Sequence, residues 1–324
     1  MPLVHPSTYR PPPGLTNGHL QTVAAGLLRR VRGVRYRRSR ITTPDGDFLD
    51  VDVSSVGADR AAVVLHGLEG SSRAAYVLGA VKRLNRDGWD ALAVNFRGCS
   101  GVPNRRYRAY HAGATDDLAF VLASDPAADG YRELALVGFS LGGNVVLRYL
   151  GDEGRRAADR IRVAAAVSAP CDLAASARRM DSGFNRLYTR RFLSSLRRKA
   201  VEKCLRFPGG PSPAALRAAR TFRAFDDLYT APAHGFAGAE DYWRLSSAGP
   251  VLERIAVPTL LVSASDDPFL APECYPRQTA ANHPFLHLET PAAGGHVGFL
   301  SFPLGARFWH EERIAAFLSA DGRG

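Results

Sequence analysis

Short uninterrupted apolar runs recur along the chain, with longer amphipathic stretches between them. Residues 61–65, 91–95, 134–139, 163–167 and 259–262 are the clearest runs, each four to six residues long. That length and composition suit strands buried on both faces of a parallel sheet. The intervening stretches carry a helical period. Residues 74–87 put Val77, Leu78, Val81 and Leu84 on one face, and residues 115–123 do the same with Leu118, Phe120, Val121 and Leu122. A further helix is expected at 144–150, directly after the third run. Ahead of these, 41–43 and 48–53 flank a Pro-Asp-Gly-Asp turn and read as a hairpin. Strand and helix in alternation predict a doubly wound α/β sheet, which binds ligands at the carboxyl ends of its strands.

The alternation stops between 171 and 250. This stretch holds an arginine-rich helical pattern (184–206), a Pro-Gly-Gly-Pro break at 208–211 and an aromatic segment from 222 to 243. It is too long for an ordinary loop and reads as a mainly helical insertion. The sheet resumes at Ile255, and a strand at 285–288 and a helix at 309–318 complete it. The expected organisation is a basic N-terminal extension (1–40), the first part of the sheet domain (41–170), the insertion (171–250) and the second part (251–324).

Composition narrows the class. An apolar fraction of 46% and a charged fraction of 23% exclude disordered, collagen-like and coiled-coil chains. No apolar run approaches the ~18–20 residues of a membrane span. Residues 1–13 are proline-rich and show no secretory h-region. Four scattered cysteines (Cys99, Cys171, Cys204, Cys274) form no C-x-x-C pair, so free thiols and a cytoplasmic location are expected. The net charge of +11 is uneven: residues 1–40 carry eight arginines and no carboxylate, whereas the rest is nearly balanced. The arm at 29–40 reads as a solvated edge segment, with contact to an anionic membrane surface as the alternative. Nucleic acid is not an expected partner, and the oligomeric state is not readable.

Candidate chemistry centres on Gly138-Phe139-Ser140-Leu141-Gly142, a G-x-S-x-G string between an apolar run and a helical pattern. A strand-to-helix turn this tight leaves no room for side chains at 138 and 142, and it lifts the Ser140 hydroxyl above the sheet. A serine needs a base. Of nine histidines, His296 is best placed, in a Gly-Gly-His-Val-Gly loop between the last strand and the last helix. His287 and His310 lie within a strand and a helix, and His5 and His19 precede the sheet. The acid is expected between Ser140 and His296, after the run at 259–262. Asp267 is preferred because Pro268 fixes the turn beyond it, with Asp266 as the rival. Two backbone amides must hold a developing oxyanion. Leu141 is one expected donor and Leu68, in His66-Gly67-Leu68-Glu69-Gly70, the other. His66 is then a loop organiser. Arg97 at the end of a strand reads as a loop-ordering or structural residue, and His111 with Asp116 makes an H-x₄-D spacing near chance frequency. Metal-ligand and phosphate-loop motifs are absent, so no cofactor or metal is expected.

These strings resemble the YheT-like branch of the α/β-hydrolases. The branch includes yeast medium-chain acyl esterases/alcohol acyltransferases and mammalian membrane-associated lipases. The resemblance runs from Asn17-Gly18-His19-Leu20-Gln21-Thr22 through Leu65–Ser72, Asn95–Gly101, Tyr110–Gly113, Gly138–Asn144, Ala169–Leu173 and Asp266–Phe269 to Gly294–Phe299. It implies an α/β-hydrolase fold, a mostly parallel sheet flanked by helices with a helical lid. It also implies a triad at Ser140, Asp267 and His296 and a small acyl ester as substrate. Eukaryotic members carry an N-terminal membrane anchor, and no such segment is visible here. Hydrolysis, acyl transfer to an alcohol, and non-catalytic binding on a hydrolase scaffold are the functions to separate.

Overall fold

The apolar runs form the core of an eight-stranded sheet. The computed structural model describes residues 3–320 apart from 5, 125–126, 128–129 and 304–307; the ends of the chain's outer segments lie outside the described residues. The strands are β1 (Arg37–Thr42), β2 (Phe48–Ser54), β3 (Arg60–Leu65), β4 (Asp90–Asn95), β5 (Glu133–Phe139), β6 (Ile161–Val167), β7 (Thr259–Val262) and β8 (Leu286–Glu289). Their spatial order is β1-β2-β4-β3-β5-β6-β7-β8. β1 and β2 pair antiparallel, β2 joins β4 antiparallel, and every later pairing is parallel. This is the α/β-hydrolase architecture that the pattern and the motifs lead one to expect.

Alternation along each strand divides the core. Val63, Leu65, Leu92, Leu134 and Leu136 face one side, against α3 (Thr115–Ala123) and α4 (Leu141–Glu153). Ala62, Val64, Ala91, Ala135 and Val137 face the other, against α2 (Ala75–Arg86) and the C-terminal helix Trp309–Ser319. Successive strand residues point to opposite faces, and both faces are covered, which is why the runs are apolar throughout.

Two features depart from the hydropathy reading. Helix α1 (Gly18–Leu28), capped by the Asn17 side chain accepting from the Leu20 amide, lies inside the segment read as a basic extension. Strand β1 begins at Arg37, not at 41, because Arg38 and Arg40 turn out to be edge-strand residues. They fork onto the buried carboxylates of Asp52 and Asp50, with N–O distances of 2.7–2.9 Å. Arg29 is likewise bound to Glu311. An alternating charged strand looks solvated in one dimension; its partners come from a neighbouring strand.

Between β6 and β7 the chain makes a helical excursion. It contains α5 (Leu173–Met180), α6 (Arg186–Arg206) and shorter helices at Pro213–Ala218 and Ala239–Ser246. Leu193, Ala200, Val201, Leu216, Phe225 and Tyr229 give it a small core of its own.

Candidate active site

The turn from β5 into α4 is sterically forced. A Cβ at Gly138 would run into the Gly142 carbonyl, and one at Gly142 would lie 2.5 Å from the His66 carbonyl oxygen and 2.7 Å from that of Leu65. Ser140 itself sits at φ 53°, a left-handed conformation that a non-glycine residue holds only under constraint. Its amide donates to the Val167 carbonyl (2.8 Å), tying the turn to β6. From the other side, Asn144 donates to the carbonyls of Ala112 and Ser246 and accepts from the Ala248 amide, locking α4 to the helical excursion.

His296 reaches this turn from the loop after β8. Its Nε2 lies 2.8 Å from Ser140 Oγ, and its Nδ1 lies 2.9 and 3.1 Å from the two carboxylate oxygens of Asp267. With Nδ1–H donating to Asp267, Nε2 is left to accept from the Ser140 hydroxyl. Asp267 is buried and also accepts from the Phe269 amide, and the Phe269 ring packs on the imidazole at 4.1 Å between centroids. Asp266 points elsewhere. Its carboxylate accepts from the Gly295 amide (2.9 Å), and burial pushes its pKa up.

The His296 loop rests on α1. The His296 amide donates to Thr22 Oγ1 (2.9 Å), and the Leu300 amide donates to Gln21 Oε1 (3.0 Å). Val297 donates to Ser168 Oγ (3.0 Å). Thr22 and Gln21 escaped the sequence reading as site residues. The available signal was the Asn17–Thr22 string, which carries part of the family resemblance and contains both residues. His19, which precedes the sheet and is no base candidate on that ground, packs its ring on Phe184 and Tyr188 of the excursion. The positive-φ non-glycine residues among the described residues, Glu69, Ser140, Ser168, Val297 and Phe299, all fall in the loops around this constellation.

The segment 66–70 borders Ser140. A Cβ on Gly67 would come within 3.0 Å of Ser140 Cβ, and the Gly67 amide is held by Tyr76 Oη at 2.9 Å. Leu68 follows immediately. Leu141 opens α4, where the first amides of a helix have no intrahelical acceptor and carry the positive end of its dipole. His66 is fully buried, accepts from the Phe96 amide at Nε2 and contacts the Gly67 carbonyl at Nδ1; burial lowers its pKa to about 4, so it stays neutral.

An apolar pocket of about 140 Å³ opens beside Ser140 and His296, walled by Leu68, Met180, Phe192, Phe225, Trp243 and Phe269. A second cavity of about 550 Å³ adjoins it and has a polar wall of Glu69, Lys199 and Lys203. Tyr110, Leu196, Phe225 and Thr230 line both. His111 lines the first pocket beside His234, whereas Asp116 turns outward to Arg108 (2.7 Å). Arg97 is a structural buttress, buried among Asp45, Asp47 and Asp117. Among the described residues no group of three or more His, Cys, Asp or Glu side chains is arranged to hold a metal ion. No described helix is long and apolar enough to cross a membrane.

The fold is an α/β sheet with a tight strand-to-helix turn at Ser140, and comparison with known proteins places its family. The α/β hydrolase fold family matches residues 62–303. The chain is 40% identical over 313 residues to YheT of Escherichia coli K12, designated an esterase by inference, covering 94% of this chain and 91% of that protein. It is 31% identical to a monoacylglycerol lipase of Saccharomyces cerevisiae, over 87% of this chain and 63% of the yeast protein. In structure it resembles an esterase of Pyrococcus furiosus, with a TM-score of 0.59 at 18% identity, covering 90% of this chain and 96% of the other. The chain belongs to the α/β-hydrolase family, in its YheT-like branch.

Proposed function

We propose that the protein is a serine carboxylic-ester hydrolase that cleaves small acyl esters through Ser140, His296 and Asp267. The observation that carries this reading is the unbroken row from Ser140 Oγ through His296 to the Asp267 carboxylate, at 2.8 and 2.9 Å, facing an apolar pocket. His296 Nε2 takes the hydroxyl proton as Ser140 Oγ attacks the acyl carbonyl. Asp267 holds the tautomer and stabilises the imidazolium. The Leu68 and Leu141 amides receive the oxyanion, and a preorganised donor of this kind is worth ~10²–10³ in turnover. The imidazolium returns its proton to the leaving alcohol, and the acyl group remains on Ser140. Water, deprotonated by His296, then attacks the acyl-enzyme and releases the acid. The apolar walls supplied by Met180, Phe192, Phe225 and Trp243 suit an acyl chain, and segment 171–250 acts as the lid over it.

The test is hydrolysis of a short p-nitrophenyl ester by wild type and Ser140→Ala. A loss of ~10⁴–10⁶ with the fold retained is expected. Turnover within tenfold of wild type removes Ser140 from the mechanism. Running the reaction in ethanol separates hydrolysis from acyl transfer, since ester formed beyond simple solvent partitioning marks a transferase. Failure of Ser140 to label with a fluorophosphonate marks a non-catalytic scaffold.

A further inference from the structure

We propose that α1 and the start of α6 form one docking face for an anionic lipid surface. Helix α1 contains no charged residue, yet it lies at the surface. Its outward positions Leu20, Val23, Leu27 and Leu28 are 41–69% exposed. A surface helix ordinarily turns such residues inward. The apolar face continues across His19, whose ring lies 4.9 Å from Phe184 and stacks on Tyr188, onto α6 and the turn before it. There Phe184 and Leu187 are 59% and 55% exposed. Among the described residues, six of the eleven large apolar side chains that stand exposed therefore gather on this one face. Exposed apolar residues scattered singly need no explanation, whereas a contiguous group does.

The rim of the face is cationic. Arg30 and Arg32 follow α1 and line a groove with Lys82, Arg83 and Arg86, in which Glu311 and Glu312 are the acidic members. Exposed Arg186, Arg190 and Arg191 flank Leu187 on α6. Farther along the arm, Arg38 and Arg40 are taken up by Asp52 and Asp50, while Arg35 and Arg37 add exposed positive charge beyond the α1 end. Apolar side chains in the middle with guanidinium groups around them match the boundary between acyl chains and anionic headgroups. A second copy of the chain fits worse, because a two-fold contact brings the arginine rims together. Nucleic acid would engage the rim and leave the leucines idle.

The face also backs directly onto the candidate active site. Thr22 of α1 accepts from the His296 amide, and Tyr188 packs on Phe269, which packs on His296. Docking there would hold the reacting groups at the lipid boundary.

Vesicle binding is read without substrate, so this inference stands or falls apart from the esterase reading. The full chain is floated with vesicles of phosphatidylglycerol in phosphatidylcholine, and with phosphatidylcholine alone, at low and high salt. Wild type is expected to bind the anionic vesicles, less tightly at high salt. Leu27→Asp and Leu187→Asp are each expected to weaken binding at least tenfold, with melting temperature and hydrolysis of a soluble ester unchanged. Absence of binding, or variants that bind as tightly as wild type, overturns the proposal. So does DNA binding indifferent to Leu27→Asp, or a dimer dissolved by that substitution, when vesicles are left untouched.

Discussion

Lys199 Nζ lies 3.0 Å from Glu69 Oε1, joining the middle of α6 to the residue that follows Leu68. Glu69 is held at φ 55°, its amide donates to Tyr110 Oη (2.8 Å), and Tyr110 Oη donates back to the carboxylate (2.7 Å). Burial works against the Lys199 charge, but Cys99 and Glu69 more than offset it, and the ammonium is held above its ordinary pKa. The side chain of Glu69 is 7% exposed, so removing its partner strands a charge in the loop that borders Ser140. Lys199→Met is expected to lower kcat about tenfold while KM for a short ester changes little, since a misplaced Leu68 amide weakens the transition state more than substrate binding. Lys199→Arg should restore most of the loss. Steady-state kinetics of the three proteins, with melting curves, check it; a KM effect alone would contradict the coupling.

Two neighbouring aspartates face different partners, His296 for Asp267 and the Gly295 amide for Asp266. Asp267→Asn breaks the partner of His296 Nδ1 and is expected to cost ~10⁴ in kcat. Asp266→Asn removes a charge but keeps an oxygen to accept from the Gly295 amide, and a loss below tenfold is expected. Hydrolysis rates of the two variants decide the ranking, and the reverse order would reassign the acid.

The pH dependence of stability should carry the signature of Asp226. This buried residue accepts from Trp243 Nε1 (2.8 Å), and burial raises its pKa to about 7, with Asp227 and Asp181 adding in the same direction. A carboxyl whose folded pKa is raised favours the fold while protonated. Its contribution is full below the unfolded pKa near 4 and is lost as pH rises through about 7. Asp226→Asn, which keeps an acceptor for Trp243, should therefore gain on wild type steadily between those values. Melting temperatures across that range test it, and a constant difference would rule the titration out.

Leu196 stands between the two cavities. Leu196→Ala should join the apolar pocket to the larger one and admit one or two more methylenes, at ~0.8 kcal/mol each. The ratio of kcat/KM for a long over a short p-nitrophenyl ester is then expected to rise about tenfold. A chain-length series on the variant and wild type measures it, with an unchanged ratio counting against the shared wall.

The parallel strands and the helices α2 to α4 were legible in one dimension, because residues buried on both faces must be apolar and a one-sided helix must repeat near 3.6. The turn at Ser140 was legible because its backbone tolerates only glycine at 138 and 142. The candidates Asp267 and His296 could be chosen by chain order and loop composition. Tertiary structure alone decided that an imidazole 156 positions from Ser140 lies within hydrogen-bond reach of it. It alone paired Arg38 and Arg40 with buried carboxylates, and set Thr22 beneath His296 and Lys199 against Glu69. These are contacts between side chains whose neighbours in the chain carry no trace of the partner. A local pattern records whether a position faces water or core; it does not record which distant group satisfies a charge or a hydrogen bond once both are brought to the same edge of the sheet.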